Sequence, residues 1–400
     1  MWRPDDKVNG SRREPGKVYA WISQDGHIQL PISLAAEQAA LVVRTADGYR
    51  ISLLRPDVRK VYLEVTTKCN FSCITCIRSS WQDELTHMSW ETFKNIINSL
   101  KELPELTTVH FGGFGEPLMH PQIFDMLQAV KELGLKVEMI TNGSYLREEI
   151  LQQLIELKLD ILYTSLDSSD EEEYNEIRPG ANFKSVYHNI VRLQELKKEQ
   201  KLTKPELGIE FVAMKKNFAR LPNLIRLAWE LDARQVIVTN LLPYHESMKD
   251  EIIYDIDDTG CLFGHNSLLM SVKAQMANMK LRTERDCKFI QDKALCINHQ
   301  GFISPCYALM HTYHCYIYGR KKQMYPYYLG NVNEKSLAAV WMEPDYVQFR
   351  QKVCDYDFPS CTDCRLLDGC NYTESNEMDC WGNHLSCAEC LWSRQIIACP

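Results

Sequence analysis

The sequence lacks three features that would each define a class of protein. Apolar stretches such as "VIVTNLL" fall far short of the roughly 20 residues that a helical membrane span needs. The formal net charge is -8, so a surplus of positive charge suited to a general nucleic-acid surface is also missing. The opening residues, "MWRPDDKVNGSRREPGKVY", lack the apolar stretch of a secretory signal. We therefore expect a cytoplasmic protein whose partners include neither a membrane nor a nucleic acid.

Cysteine is scarce over most of the chain and abundant at its end. Three of the 16 cysteines lie in residues 1–260, and thirteen lie in residues 261–400. This shift indicates two regions with different chemistry. In a reducing compartment, a cysteine-rich region is better explained by metal or cluster binding than by disulfides.

The pattern of polar and apolar residues divides the chain into four parts. Residues 1–57 contain short β-patterned runs, with turns at Asp25-Gly26 and Asp47-Gly48, and predict a small β module behind a loose lead-in over 1–18. Residues 58–245 alternate between strands and helices. Residues 246–286, with the helical-looking "SLLMSVKAQMANMK", are interpreted as a linker and bridging helix, and residues 287–400 form the cysteine-rich part.

The second part predicts an α/β fold built on a parallel sheet. Six β-patterned runs recur there: "VYLEVT", "TTVHFGG", "KVEMIT", "DILYTSL", "LGIEFVA" and "QVIVTN". Amphipathic segments lie between them, with apolar residues at helical spacing. Six β/α units are too few for a closed eight-fold barrel, so we expect an open, partial (β/α)6 barrel with its chemistry at the carboxyl ends of the strands.

The first of these strands leads into "TTKCNFSCITC", where Cys69, Cys73 and Cys76 have C-x3-C-x2-C spacing. Cysteine thiolates are the usual ligands of iron–sulfur clusters, and a 4Fe–4S cube needs four. Three protein ligands leave one iron open, as catalytic zinc keeps one vacant position. A zinc site or three buried thiols is the simpler alternative.

This loop resembles the radical S-adenosylmethionine (SAM) superfamily. The resemblance implies that Cys69, Cys73 and Cys76 are the catalytic cluster ligands and that SAM chelates the open iron. It further implies that one electron cleaves SAM and releases a 5′-deoxyadenosyl radical, which abstracts hydrogen from a substrate. Thr75 departs from the family, which commonly has an aromatic residue before the third cysteine.

Further motifs at the ends of the next strands carry the same resemblance. They are "HFGGFGEP", "TNGSYL", "YTSLDSS" and "IRPGANFKSVYHNIVRL". By the resemblance, Glu116 accepts hydrogen bonds from the methionine ammonium, and Ser165 and Asp167 contact the ribose or the methionine carboxylate, for which Arg178 is a further partner. Simpler alternatives are a Gly-rich turn, a helix N-cap and an exposed arginine. The implied SAM-binding residues are Gly112, Gly113, Glu116, Asn142, Ser165, Asp167 and Arg178.

The C-terminal part resembles the auxiliary-cluster module called SPASM, which holds one or two additional 4Fe–4S clusters. Thirteen residues separate Cys287 from Gly301, four separate Gly301 from Cys306, and C-x2-C-x5-C spacing follows later. The pattern then breaks, because Glu374 stands where the module has its next cysteine. The expected auxiliary ligands are Cys287, Cys306, Cys361, Cys364, Cys370, Cys380, Cys387, Cys390 and Cys399.

The sequence alone leaves open whether the C-terminal cysteines bind zinc or iron–sulfur clusters, and it leaves the role of four cysteines unassigned. The C-x2-C pairs at 361/364 and 387/390 also suit zinc, and only the core motifs favour clusters. Cys261, Cys315 and Cys354 lie outside the pattern, and Cys296 is ambiguous.

The tail segments "GFISPCYALMHTY", "YYLGNVNEKSLAAVW" and "CAECLWSRQIIACP" look like those of radical SAM maturases associated with tungsten-cofactor oxidoreductases. The resemblance implies modification of a protein or its cofactor, with SAM and 4Fe–4S clusters as cofactors and a ferredoxin or flavodoxin as electron donor. A peptide-modifying maturase and a non-enzymatic zinc-binding adaptor are the alternatives.

Overall fold

The computed structural model describes residues 21–22, 28–29, 40–45, 48–81, 83–254, 266–269, 272–278 and 284–399. The lead-in over 1–18, the turn residues Asp25, Gly26 and Asp47, and Cys261 lie outside these ranges. The chain divides into two compact units, Met1–Arg55 and Pro56–Pro400.

The described residues of the first unit form two antiparallel pairs of strands. Strand β1 (Trp21–Ile22) pairs with β2 (Ile28–Gln29), and β3 (Ala40–Thr45) pairs with β4 (Gly48–Leu53). These pairings agree with the β-patterned runs expected in this part of the chain.

The six strands expected in the core are all present, and they run parallel in sequence order. They are β5 (Lys60–Leu63), β6 (Thr108–Phe111), β7 (Lys136–Thr141), β8 (Ile161–Ser165), β9 (Glu206–Ala213) and β10 (Gln235–Asn240). The parallel order follows from the crossover helices, since parallel neighbours need a long connection. All six strands therefore bring their carboxyl ends to the same edge of the sheet.

The connecting helices bury the apolar faces that the sequence predicts. They are α1 (Trp90–Leu100), α2 (Ile123–Glu132), α3 (Glu148–Glu156), α4 (Glu171–Ile177), α5 (Phe183–Glu199), α6 (Lys215–Phe218) and α7 (Leu221–Glu230). In α1 the Ser89 side chain accepts a hydrogen bond from the Thr92 amide at the first turn, and Phe93, Ile96 and Leu100 are buried.

The prediction of a bridging helix within 246–286 is wrong. Two strands lie there instead, β11 (Asn266–Leu269) and β12 (Val272–Met276), and β12 pairs in parallel with β10. The reason is the alternation in β12, where Val272, Ala274 and Met276 are buried while Lys273 is exposed. Burial that alternates with a period of two is typical of a β-strand, whereas one face of a helix repeats roughly every three to four residues.

The C-terminal region extends the same sheet on its other side. Its elements are α8 (Lys288–Gln291), β13 (Ala294–Ile297), β14 (Phe302–Ser304), β15 (Tyr313–Ile317), β16 (Arg320–Met324), β17 (Gly330–Asn331), α9 (Leu337–Met342) and α10 (Pro344–Asp355). Strand β13 runs parallel to β5, and β14 and β17 follow antiparallel. The eleven-stranded sheet is open, because β11 and β17 are its edges. Within the described residues, no helix is both long and apolar enough to cross a membrane.

Candidate active site

The three-cysteine loop leaves the carboxyl end of β5 and is tied to the end of α4. The Ser72 amide donates to the Pro179 carbonyl at 2.9 Å, and the Ile74 amide donates to the Ile177 carbonyl at 3.0 Å. Burial raises the pKa of the Cys73 thiol to about 11, and the nearby Cys76 and Cys69 thiols add to the shift while Arg178 opposes it. The loop therefore gathers three thiols that lose their protons when iron replaces them.

Arg178 and Asp167 form a buried ion pair beside this loop. Arg178 Nη2 lies 2.8 Å from Asp167 Oδ2, and Arg178 Nη1 lies 3.8 Å from Cys73 Sγ. The other carboxylate oxygen of Asp167 accepts a hydrogen bond from the Val212 amide at 2.8 Å. The simpler alternative, an exposed arginine at the start of a helix, is therefore wrong. Arg178 is buried at the C-cap of α4, and its positive charge is directed at Cys73.

Glu116 and Asn142 connect the second and third strand ends to the loop. The two Glu116 oxygens accept hydrogen bonds from the Leu118 amide, the Thr141 hydroxyl and the Asn142 amide. The side chain of Asn142 lies 3.7 Å from Cys69 Sγ. A carboxylate has about four acceptor positions, so Glu116 retains one for a further donor. Burial raises its pKa to about 7.

The predicted glycines and Ser165 lie at the same edge of the sheet. Gly112 donates its amide to the Leu63 carbonyl, and Ser165 ends β8. Gly113 has φ +106, and a Cβ there would lie 2.6 Å from the Glu64 side chain. Gly113 is therefore required by its backbone conformation and by close packing against Glu64.

Sequence reasoning missed a buried charged cluster next to these glycines. Glu64 follows β5 with 0% exposure, accepts a hydrogen bond from the Phe114 amide, and lies 2.9 Å from His311 Nε2. The other ring nitrogen of His311 contacts Asp83. Burial alone lowers the pKa of His311, but the Glu64 and Asp83 carboxylates outweigh it and raise the pKa to about 9. The only sequence signal was a carboxylate within the apolar run "VYLEV".

Four of the auxiliary cysteines line one small cavity in the C-terminal region. They are Cys287, Cys306, Cys387 and Cys390. Burial raises the pKa of Cys287 to about 12, and the Cys390 thiol adds to the shift. Cys361 lies near Cys380 and Cys370, whose charges also raise its pKa, and Cys364 follows Cys361 in the same turn. Two separate groups of thiols result.

Cys399 does not line the cavity that Cys287, Cys306, Cys387 and Cys390 share, although it packs against the same cluster of buried residues as Cys287 and Cys306. Its Sγ accepts a hydrogen bond from Trp392 Nε1 at 3.3 Å, and burial raises the pKa of the thiol to about 12. Cys296 is fully buried in β13 and Cys315 in β15.

Across the described residues, no three His, Cys, Asp or Glu side chains are grouped tightly enough to hold a single metal ion. A cubane offers a separate iron to each thiolate, so its ligands need not converge on one point. The chemistry of the donor sets, thiols alone with nearby cations, fits such clusters.

A cavity of about 180 Å³ lies at the carboxyl ends of the strands. Its wall includes Thr75, His110, Glu210, Tyr307 and Cys399. Burial raises the pKa of Glu210 to about 7, with Arg178 opposing the shift. The three-cysteine loop and the C-terminal tail therefore border the same cavity.

The comparisons with known proteins define the class of the protein. The sequence pattern of the Radical SAM superfamily matches residues 63–205, and that of the SPASM iron–sulfur cluster-binding domain matches residues 287–365. The protein is therefore a radical SAM enzyme that cleaves SAM. Its cofactors are SAM, a 4Fe–4S cluster and the auxiliary iron–sulfur clusters of the SPASM domain.

One relative of known name shows to which family of radical SAM proteins the chain belongs. The chain is 38% identical over 351 residues to the tungsten-containing aldehyde ferredoxin oxidoreductase cofactor-modifying protein of Pyrococcus furiosus. The match covers 86% of this chain and 97% of that protein. The chain belongs to the same family of radical SAM proteins as this relative.

Solved structures agree with the fold. SuiB of Streptococcus suis bound to S-adenosylmethionine has a TM-score of 0.53 at 16% identity and covers 78% of this chain and 72% of its own. The protein anSMEcpe with bound AdoMet has a TM-score of 0.52 at 16% identity, over 85% of this chain and 92% of its own. Both confirm the expected α/β architecture.

Proposed function

We propose that the protein is a maturase that uses SAM to modify a tungsten-containing oxidoreductase, acting on its cofactor or on its polypeptide. The observation that carries this proposal is the 38% identity that extends over 97% of the Pyrococcus relative. A match of that length includes the core and extends into the auxiliary region, and therefore covers more than the core fold alone.

In this proposal Cys69, Cys73 and Cys76 hold the catalytic 4Fe–4S cluster. When bound, the cluster supplies the electron that cleaves SAM reductively. Glu116 offers its remaining acceptor position to the methionine ammonium, a charge-assisted contact. Arg178, oriented by Asp167, balances the negative charge of the Cys73 thiolate.

The other predicted SAM contacts have supporting roles. Asn142 positions Glu116 and Cys69 relative to each other, through its amide and its side chain. Gly112 and Gly113 let the backbone pass closely at the strand end, and Ser165 presents a hydroxyl there. The 180 Å³ cavity at these strand ends offers space for the reacting part of a substrate.

We assign the auxiliary ligands to two clusters within residues 287–400. Cys287, Cys306, Cys387 and Cys390 would hold one, because all four line a single cavity. Cys361, Cys364, Cys370 and Cys380 would hold the other, with Cys380 replacing the ligand that Glu374 cannot supply. This assignment leaves Cys399 as a cavity thiol and not a ligand, unlike the initial expectation.

The experiment uses anaerobically reconstituted protein, a reductant and the inactive tungsten oxidoreductase purified from cells that lack this gene. A ferredoxin or flavodoxin is the expected natural electron donor. We expect 5′-deoxyadenosine formation and recovery of oxidoreductase activity. Modification of a small precursor peptide in place of that recovery would favour a peptide-modifying maturase. Stoichiometric zinc without 5′-deoxyadenosine would favour the adaptor.

A further inference from the structure

A second cavity, of about 410 Å³, adjoins the one at the strand ends. Both are lined by Trp392, Ile397, Ala398 and Cys399, so the C-terminal tail is a wall common to the two. The tail is held there by hydrogen bonds from the Ala398 amide to Thr239 Oγ1 and from the Asn278 amide to the Gln395 carbonyl. A molecule in the second cavity therefore lies next to the reaction cavity.

The described wall of this second cavity carries more positive than negative charge. Lys60, Lys273 and Lys288 line it, against one carboxylate, Asp292. Lys60 lies 2.9 Å from Glu138 Oε2, whereas neither Lys273 nor Lys288 forms an ion pair with another described residue. Two ammonium groups are thus available for an anionic ligand, and phosphate is the anion that lysine binds as a point charge.

The rest of the wall suits a flat ring with polar edges. Tyr62, Phe289 and Trp392 supply aromatic surface, and Gln275, Asn278 and Gln395 supply carboxamides. Asn278 is 3% exposed, and its Oδ1 is buried without a hydrogen-bond donor among the described residues. An orphaned acceptor of this kind is costly unless a donor, such as a ring N–H of a ligand, satisfies it.

We propose that this cavity binds a nucleotide-like substrate, in which a phosphate ester is attached to a flat nitrogen heterocycle. Lys273 and Lys288 hold the phosphate, and the aromatic side chains with Asn278 hold the ring. The volume falls in the range of small-molecule sites, whereas a peptide needs an extended groove. The inference deepens the proposed function and rests on it, since it selects a phosphorylated cofactor over a polypeptide as the molecule modified.

The test measures binding by calorimetry to the anaerobically reconstituted protein, with saturating SAM present to occupy the SAM site. The probes are inorganic pyrophosphate, guanosine diphosphate and an acidic hexapeptide. We expect guanosine diphosphate to bind more tightly than pyrophosphate. The double variant Lys273→Gln/Lys288→Gln should weaken the affinity for both probes by at least tenfold. Lys184→Gln, an exposed lysine on α5 that pairs with Glu171, is the matched control and should change neither affinity.

The inference is overturned if only the acidic peptide binds, or if the double variant retains full affinity for both phosphate probes. Iron content and circular dichroism of each variant establish that it is folded and loaded. Recovery of oxidoreductase activity is a separate readout. Probe binding without recovery counts against the proposed function, whereas recovery without lysine-dependent binding counts against this cavity.

Discussion

The Arg178 guanidinium donates two hydrogen bonds to one carboxylate oxygen of Asp167, with Nε at 2.9 Å and Nη2 at 2.8 Å from Oδ2. The same guanidinium extends its third nitrogen toward Cys73 Sγ. Asp167 therefore acts on the three-cysteine loop through Arg178, and its three hydrogen bonds, two from Arg178 and one from the Val212 amide, leave one of about four acceptor positions for a further donor. The carboxylate that the sequence predicts as a SAM contact is thus also the residue that positions a cation next to Cys73.

Replacing Asp167 with Ala should leave the Arg178 charge buried and unpaired. Breaking a buried pair in this way costs about 3–5 kcal/mol of folding stability. We expect a lower free energy of unfolding and weaker SAM binding, measured by denaturant titration and equilibrium dialysis. Asp170→Ala is the control, since Asp170 caps α4 and forms a partly exposed ion pair with Arg220, and its loss should cost about 1–2 kcal/mol with SAM affinity intact. Unchanged SAM affinity in Asp167→Ala would return Asp167 to a purely structural role.

Cysteine variants should separate cluster ligands from the cavity thiol. Cys390→Ser should lower the iron content by about four atoms per chain, since one 4Fe–4S cluster loses a ligand. Cys399→Ser should retain the full iron content. Iron and protein are quantified after anaerobic reconstitution, and the opposite pattern would show that Cys399 is a ligand.

The Glu64–His311 pair predicts a pH dependence of stability. The pKa of His311 in the folded protein is raised to about 9. Protonated His311 therefore contributes its full share to the free energy of unfolding below about pH 6.5, and this stabilisation is lost as pH rises through 9. The pKa of Glu64 is held down at about 2, because His311 and His299, whose Nδ1 lies 3.6 Å from Glu64 Oε2, together outweigh its burial. The stabilisation from Glu64 is lost only as pH falls from about 4.5 toward 2.

His311→Gln should therefore flatten the decline in unfolding free energy between pH 6.5 and 9, measured by urea titration at several pH values. His188→Gln, for which no such buried pair exists within the described residues, is the control. A decline of equal slope in His311→Gln would exclude His311 as its source.

Glu116 predicts a pH dependence of SAM binding. Burial raises its pKa to about 7, so the carboxylate that we propose as the hydrogen-bond acceptor for the methionine ammonium is lost as pH falls through 7. SAM affinity should fall below that pH in the wild type and be weak and flat in Glu116→Gln. An affinity that is constant from pH 8 to 6 in the wild type would contradict this role.

Much of the core was predictable, because each of its strands is marked by local pattern. The runs from "VYLEVT" to "QVIVTN" became β5 to β10, and Cys69, Cys73, Glu116 and Asn142 meet at their carboxyl ends. Strand β12 was misread because "SVKAQM" is short and also fits a helical period, and only its pairing with β10 decides between the two.

What could not be predicted depends on long-range packing. The Glu64–His311 contact joins residues 247 positions apart, and no local signal connects them. The same is true of the grouping of Cys287 with Cys390, which depends on how the C-terminal turns fold back onto α8.

The most direct measurement is electron paramagnetic resonance of the anaerobic, dithionite-reduced protein, with and without SAM, in the wild type and in Cys73→Ala. We predict a reduced cubane signal that changes when SAM is added. In Cys73→Ala, that component and 5′-deoxyadenosine formation should be lost while the auxiliary signals persist. A wild-type spectrum that does not respond to SAM, or 5′-deoxyadenosine formed by Cys73→Ala, would show that the three-cysteine loop does not hold the catalytic cluster.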